Sequence, residues 1–248
     1  MPESHRQTGE GTEYVSIRAP GPGLFPSVCD STIVRGDRYV AVRVPIERLS
    51  AVILLILALP LLAATSIIVK SSMGSPVLFT QARVGRNGRH FRLFKFRTMV
   101  HGAEQAGGGY MPPELDLIPP LGKFLRRTSI DEIPQLLNII RGEMSFVGPR
   151  PALPSQYARY TEFQKHRVDV PPGVTGLAQV RYRNDAPWSA RIVADVEYVE
   201  NISPILDLKI LFATIATVFG GRGIRHDQTV ADVDDLGHAQ PEERNDEQ

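Results

Sequence analysis

The sequence predicts an α+β chain, predominantly helical, with an N-terminal re-entrant membrane helix, a β-hairpin and a small cytoplasmic domain carrying interfacial helices. Three observations predict it. Residues 51–69, "AVILLILALPLLAATSIIV", hold 19 positions without a charge, close to the roughly 20 apolar residues that cross a bilayer as a helix. Two β-prone runs flank Arg86-Asn87-Gly88, and Asn-Gly is the strongest short hairpin signal. Apolar residues then recur at helical spacing within 121–140 and 188–220.

Composition narrows the function classes. The 248 residues suffice for one ordinary domain with tails. A formal net charge of +1 argues against a general nucleic-acid binder. The charge is unevenly spread, however. Arg83, Arg86, Arg89, Arg92, Lys95 and Arg97 follow one another with no acid between them, whereas the tail from Asp227 is acidic. The middle of the chain is thus suited to anions such as phosphates or lipid headgroups. The single Cys29 permits no internal disulfide and no CxxC site, and the six histidines show no HExxH spacing.

Residues 1–43, with "APGPGLFP" at 19–26, read as an extended leader. The membrane helix is expected over 44–70. Arg35, Arg38, Arg43 and Arg48 precede its apolar run, while Lys70 and the Arg83–Arg97 cluster follow it. The preference of basic residues for the cytoplasmic side therefore pulls both ends the same way. Pro60 at the midpoint removes a backbone hydrogen bond and bends the helix, which favours a broken helix that dips into one leaflet and returns. The remainder, 71–220, opens with the hairpin. Residues 100–120, with three consecutive glycines, read as a linker. Leu121, Phe124 and Leu125, then Ile133, Leu136, Leu137 and Ile140, mark helical faces. "YARYTEFQKHRVDV" reads as helical and "PPGVTGLAQVRYRND" as a loop with a short strand. Helices over 188–220 break at Ser203-Pro204, the second apolar enough to lie in the membrane interface. Residues 221–248 are expected to be disordered.

"RRTSIDEIPQLLN", 126–138, concentrates the chemistry. Asp131 reads as a helix N-cap, with Glu132 in the first turn and Pro134 where its missing N–H is harmless; Gly142 suits the helix end. The same acids, held at the positive end of a helix, are competent for phosphate chemistry. An ionised Asp is a nucleophile toward phosphorus, and a neighbouring Glu can hold Mg2+. Arg126, Arg127 and Arg150 offer planar forks of donors to phosphate. Local features leave both readings open. Lys95 and Arg97 are further phosphate candidates, or members of a solvated strand face. Trp188 and Tyr198 are interface anchors or core residues, and Asp195 and Glu197 read as structural partners of arginines.

"FTQARVGRNGRHFRLFKFRTM", "LGKFLRRTSIDEIPQLLNIIRGEMSFVGPRP", "PPGVTGLAQV" and "DVEYVENISPILDLKIL" together resemble the bacterial sugar transferase family, the monotopic polyprenyl-phosphate phosphoglycosyl transferases. The likeness runs from about Glu47 to about Phe219. It implies that 71–220 is a catalytic domain acting on a UDP-sugar and undecaprenyl phosphate, at the first step of a surface polysaccharide such as an exopolysaccharide, capsule or O-antigen. The nucleophile then falls on Asp131 and the Mg2+ partner on Glu132. Arg126 and the Pro149-Arg150-Pro151 motif fall where the family handles phosphate, and Pro60 falls at the break of the membrane helix. The resemblance also implies the bacterial inner membrane, a cytoplasm-facing site, membrane lipid, downstream glycosyltransferases and a homodimer as context, and no nucleic acid. A non-catalytic, membrane-anchored scaffold of a glycan-assembly complex is the alternative, disfavoured by the intact Asp131-Glu132 dyad. Departures are Leu59-Pro60 in place of the family's Ser-Pro, Ala51 where an Asp is common, "LDLIPPLGKF", and "QVRYRND".

Overall fold

The computed structural model describes residues 37–100, 117–182, 186–219 and 235–236. The linker glycines, the leader before Asp37 and most of the tail lie outside these residues. Helix α1 (Asp37–Met73) runs for 37 residues with Pro45 and Pro60 inside it. It is longer than the predicted 44–70 at both ends, so 37–43 belong to the helix rather than to the leader. The physical reason is tertiary. Val40, Arg43, Glu47 and Ala51, spaced to share one face, are buried. By contrast, Ile53, Leu54, Ile56, Leu57, Leu59 and Leu61 are exposed.

Strands β1 (Leu78–Val84) and β2 (His90–Phe96) pair antiparallel, from Leu78 opposite Phe96 to Val84 opposite His90. Asn87 and Gly88 at the turn both have positive φ, 56° and 73°. Two successive left-handed residues are what a tight hairpin asks for, and Asn-Gly meets that demand. Helix α2 (Pro120–Thr128) starts with Pro at its first position and buries Gly122 and Leu125. A side chain at Gly122 would collide with the Thr98 carbonyl, so only glycine lets α2 lie this close to the strand exit.

A 3-10 turn, Ile130–Gln135, separates α2 from α3 (Leu136–Arg141). This corrects the N-cap expectation. Ser129, in the left-handed region at φ 56°, occupies the junction, and Asp131 and Glu132 lie inside the turn. The predicted apolar face is also shifted, because Ile139 is fully buried while Phe124 is 46% exposed. Gly142 ends α3 at φ 78°, as expected. Asn138, wholly buried, stitches α3 to β2. Its Nδ2 donates to Arg92 O at 2.7 Å and its Oδ1 accepts from Phe94 N at 3.1 Å.

Strands β3 (Ser145–Val147) and β4 (Gly173–Thr175) form a second, parallel pair. Helices α4 (Pro154–Tyr157) and α5 (Glu162–Lys165) are short. Helix α6 (Leu177–Tyr182) takes residues expected as loop. Helices α7 (Trp188–Glu200) and α8 (Pro204–Phe219) break where Ser203-Pro204 predicts. One core cluster joins Val40 of α1 to Val147, Val170, Tyr198, Val199 and Ile210. Another joins Ala51 to Leu93, Ile139 and Met144, which accounts for an alanine rather than an acid at 51.

Polar contacts fasten both ends of α1. At its start, Arg43 Nη1 donates to Asp207 Oδ2 at 2.6 Å and to Tyr198 Oη at 2.8 Å, Tyr39 Oη donates to Asp207 Oδ2 at 2.6 Å, and Phe146 N donates to Glu47 Oε1 at 3.2 Å. At its end, Arg97 donates to Ser75 O at 3.0 Å, to Gly74 O at 2.7 Å and to Met73 O. A guanidinium thereby satisfies the orphan carbonyls and meets the negative end of the helix. Arg97 is buried, so it is neither a solvated strand residue nor an open phosphate contact.

Candidate active site

The 3-10 turn packs against β2 and delivers Asp131 to a buried position, 7% exposed, beside the partly exposed Glu132. Burial is the main cause that pushes the Asp131 carboxyl up to about 6 from its ordinary 3.8, and Glu132 adds to the rise. Arg126, Lys95 and Arg150 oppose it, in that order. Three cations from three separate segments therefore act on one carboxylate. Lys95 of β2 also rests over the Phe79 ring, 4.7 Å from its centre. Arg126 Nε donates to Thr98 Oγ1 at 2.8 Å.

Across the site, Arg150 Nη2 lies 3.2 Å from Glu132 Oε1. Pro149 and Pro151 are buried on either side, while the Arg150 side chain is 55% exposed. The backbone here is held at every residue. The carbonyls of Pro149, Arg150, Pro151 and Ala152 accept from Gly173 N at 2.9 Å, Arg167 Nη2 at 2.8 Å, Arg83 Nη1 at 3.1 Å and Val84 N at 3.0 Å. Gly148, Gly173 and Gly176 cross so closely that a Cβ on any of them would strike main-chain atoms. Main-chain groups can approach to that distance only without side chains.

The structure brings together Asp131, Glu132, Arg126, Arg150, Pro149 and Pro151. Pro60 stands apart, on the exposed middle of α1. Arg127 is exposed at the end of α2. Lys95 belongs to the site electrostatically, a role that sequence spacing left undecided. The carboxylates expected to be structural partners of arginines are such partners. Asp195 pairs with Arg167, and Glu197 takes both heads of Arg181 at 2.5 and 2.7 Å. Tyr198 is fully buried, with its hydroxyl donating to Asp207 Oδ1 at 2.7 Å. What sequence reasoning missed is the link from Arg167 to Arg150. An acid among the buried Ile192, Ala194, Val196 and Val199 of α7 was the available sign, since acids are seldom buried without a partner.

Chemically, the cluster sets one buried carboxylate among three cations, an arrangement suited to anions. Among the described residues no group of three or more His, Cys, Asp or Glu converges. Two neighbouring carboxylates suit a cation that takes oxygen ligands and completes its shell with substrate and water, as Mg2+ does.

The profile of the bacterial sugar transferase family matches residues 39–221. The chain belongs to this family. Sugar transferase relatives bear out the likeness across most of the chain. It is 43% identical over 176 residues to the uncharacterized sugar transferase EpsL of Bacillus subtilis, covering 71% of this chain and 86% of that one. It is 37% identical over 190 residues to the exopolysaccharide production protein ExoY of Rhizobium meliloti, covering 71% and 84%. It is also 38% identical over 208 residues to a UDP-N-acetylgalactosamine-undecaprenyl-phosphate N-acetylgalactosaminephosphotransferase of Aeromonas hydrophila, covering 82% of this chain and 47% of that longer sugar transferase.

Proposed function

We propose that the chain transfers a sugar 1-phosphate from a UDP-sugar to undecaprenyl phosphate, with Asp131 as the covalent nucleophile. The observation that carries the proposal is the buried Asp131 carboxylate ringed by Arg126, Lys95 and Arg150 beside Glu132. The name of the Aeromonas relative, a UDP-N-acetylgalactosamine-undecaprenyl-phosphate N-acetylgalactosaminephosphotransferase, supports the donor and acceptor classes. In the first step an Asp131 oxygen attacks the β-phosphorus, the bond to the bridging oxygen breaks, and UMP leaves with the electron pair. In the second, an oxygen of the lipid phosphate attacks that phosphorus and the Asp131 carboxylate departs, giving the polyprenyl-diphospho-sugar. Arg126 and Arg150 bind and orient the phosphate oxygens as negative charge shifts between them. Glu132 and Asp131 are the residues that would hold Mg2+, which supplies charge neutralisation to a diphosphate when bound.

A lipid phosphate arrives at headgroup depth, and α1 supports such a placement. The helix is long and apolar enough to cross a membrane by length and composition. Both its ends are nevertheless fastened to one folded unit, through Arg43 to Asp207 and through Arg97 to Met73–Ser75. A straight 37-residue helix would set its ends about 55 Å apart, on opposite sides of a hydrocarbon layer of about 30 Å. A re-entrant path, with the catalytic domain on the cytoplasmic face of the bacterial inner membrane, reconciles the two. On α8, the exposed Ile205, Leu208, Phe212 and Ile215 support a seat in the interface. Labelling of a cysteine introduced near residue 15 from the periplasmic side of intact cells would overturn the topology.

The test of activity is UMP release by the purified protein, with Mg2+, undecaprenyl phosphate and each common UDP-sugar in turn. One donor is expected to support turnover, and Asp131→Asn is expected to abolish it. Retained turnover in that variant would refute the nucleophile.

A further inference from the structure

We infer that Arg167 and Asp195 form a buried positioning pair that sets Arg150 at its station over Glu132. The inference rests on the phosphate role proposed for Arg150. Arg150 projects a half-exposed side chain, so its reach depends on where its backbone is held. Of the four carbonyls that fix the 149–152 segment, two accept from main-chain amides and two from side chains. The one at Arg150 itself is held by Arg167 Nη2, which also reaches Asp195. Arg167 Nη1 donates to Tyr160 Oη at 2.6 Å, and the guanidinium carbon lies 5.5 Å from the centre of the Tyr160 ring.

The cost of this arrangement is informative. Arg167 is 7% exposed and Asp195 is 1% exposed, and among the described residues Asp195 Oδ1 has no hydrogen-bond partner. Apolar residues of like volume commonly hold a core as well as a buried ion pair does. What apolar residues cannot provide is a donor fork with one arm on a main-chain carbonyl. Asp195 keeps that fork in register from α7, and Tyr160 steadies the other arm. These residues touch no substrate phosphate on this reading; they act through Arg150.

Double-mutant cycles test the inference. Tyr160→Phe and Asp195→Asn are made singly and in an Arg150→Gln background, and donor KM, kcat, UMP affinity and melting temperature are measured for each. Tyr160→Phe, the milder change, is expected to lower kcat/KM by about fivefold, mainly through donor KM, and Asp195→Asn by about tenfold or more. In the Arg150→Gln background neither is expected to cause further loss of kcat/KM or of UMP affinity. Equal fold-losses in both backgrounds, or losses that track melting temperature alone, would overturn the positioning role. If Asp195→Asn does not fold, the Tyr160→Phe cycle decides by itself. A wild-type chain that neither turns over any UDP-sugar nor binds UMP overturns the proposed function and this inference with it, whereas an active wild type with additive losses overturns only the inference.

Discussion

Arg150 meets Glu132 at 3.2 Å across 18 residues of sequence, in a pair whose side chains are 55% and 23% exposed. Such partly solvated pairs contribute about 1 kcal/mol or less. On the proposed function, an incoming diphosphate would take the guanidinium away from Glu132 at small cost and leave Glu132 to the proposed Mg2+.

Asp131 sits in a folded state that disfavours its charge. Its pKa rises from 3.8 to about 6, so the cost is absent below the unfolded value and fully present above the folded one. Asp131→Asn is accordingly expected to be inactive yet more stable above pH 6, by up to about 3 kcal/mol. Thermal unfolding in detergent at pH 7.5 and at pH 4 checks this; equal gains at both would contradict it.

As the proposed nucleophile, the same carboxylate would have to be ionised to attack. Donor kcat/KM is expected to fall as pH drops through about 6. Arg126 is the strongest opposing charge, so Arg126→Gln should move the acid limb upward as well as lower the plateau. A pH–rate profile of the half-reaction reports it, and an unmoved limb would separate Arg126 from Asp131.

Arg97 holds three carbonyls at the end of α1. Arg97→Met is expected to cost about 1–2 kcal/mol, since it removes charged hydrogen bonds to the carbonyls of half-buried Met73 and exposed Gly74 and Ser75. Limited proteolysis should show new cleavage near Ser75, and an unchanged digestion pattern would argue against the cap.

Arg43→Met alone leaves the buried Asp207 without its cation and should cost about 3–5 kcal/mol. The double change Arg43→Met with Asp207→Leu should regain part of that, with Glu47 still lacking its cation. Unfolding midpoints of the singles and the double measure the coupling.

Gly173→Ala should abolish folding or activity, because its Cβ would strike the Gly148 amide and the Thr175 carbonyl. Soluble yield and UMP release give the readout. Near-normal values would mean that the two loops can part.

Local chemistry made much of this fold readable. Asn87-Gly88 announced a turn with two left-handed residues, and Ser203-Pro204 announced a helix break. The site's charged residues were readable for the same reason, as a dense run of side chains suited to phosphate. What stayed hidden depends on distant partners. Arg43 looked like a cytoplasmic flank charge, but Asp207 draws it into the core and carries the helix back to Asp37. Asp131 looked like a cap, yet the left-handed Ser129 and the packing on β2 turn that segment into a 3-10 coil. Leu177–Tyr182 has too few residues to show a helical period, so its helix could not be seen beforehand.

The two attachments of α1 differ greatly in how soon they can form during synthesis. Arg97 emerges 24 residues after Met73, but Asp207 emerges 164 residues after Arg43. The far end of the helix can be sealed while the chain is still growing, whereas its beginning waits for α8. A nascent chain that stops before Pro204 carries Arg43 with Glu47 but without Asp207, in a helix otherwise largely apolar and exposed. Burial of the first turns of α1 and docking of α8 are thus coupled into one late event, and truncation before α8 should be felt at the start of α1.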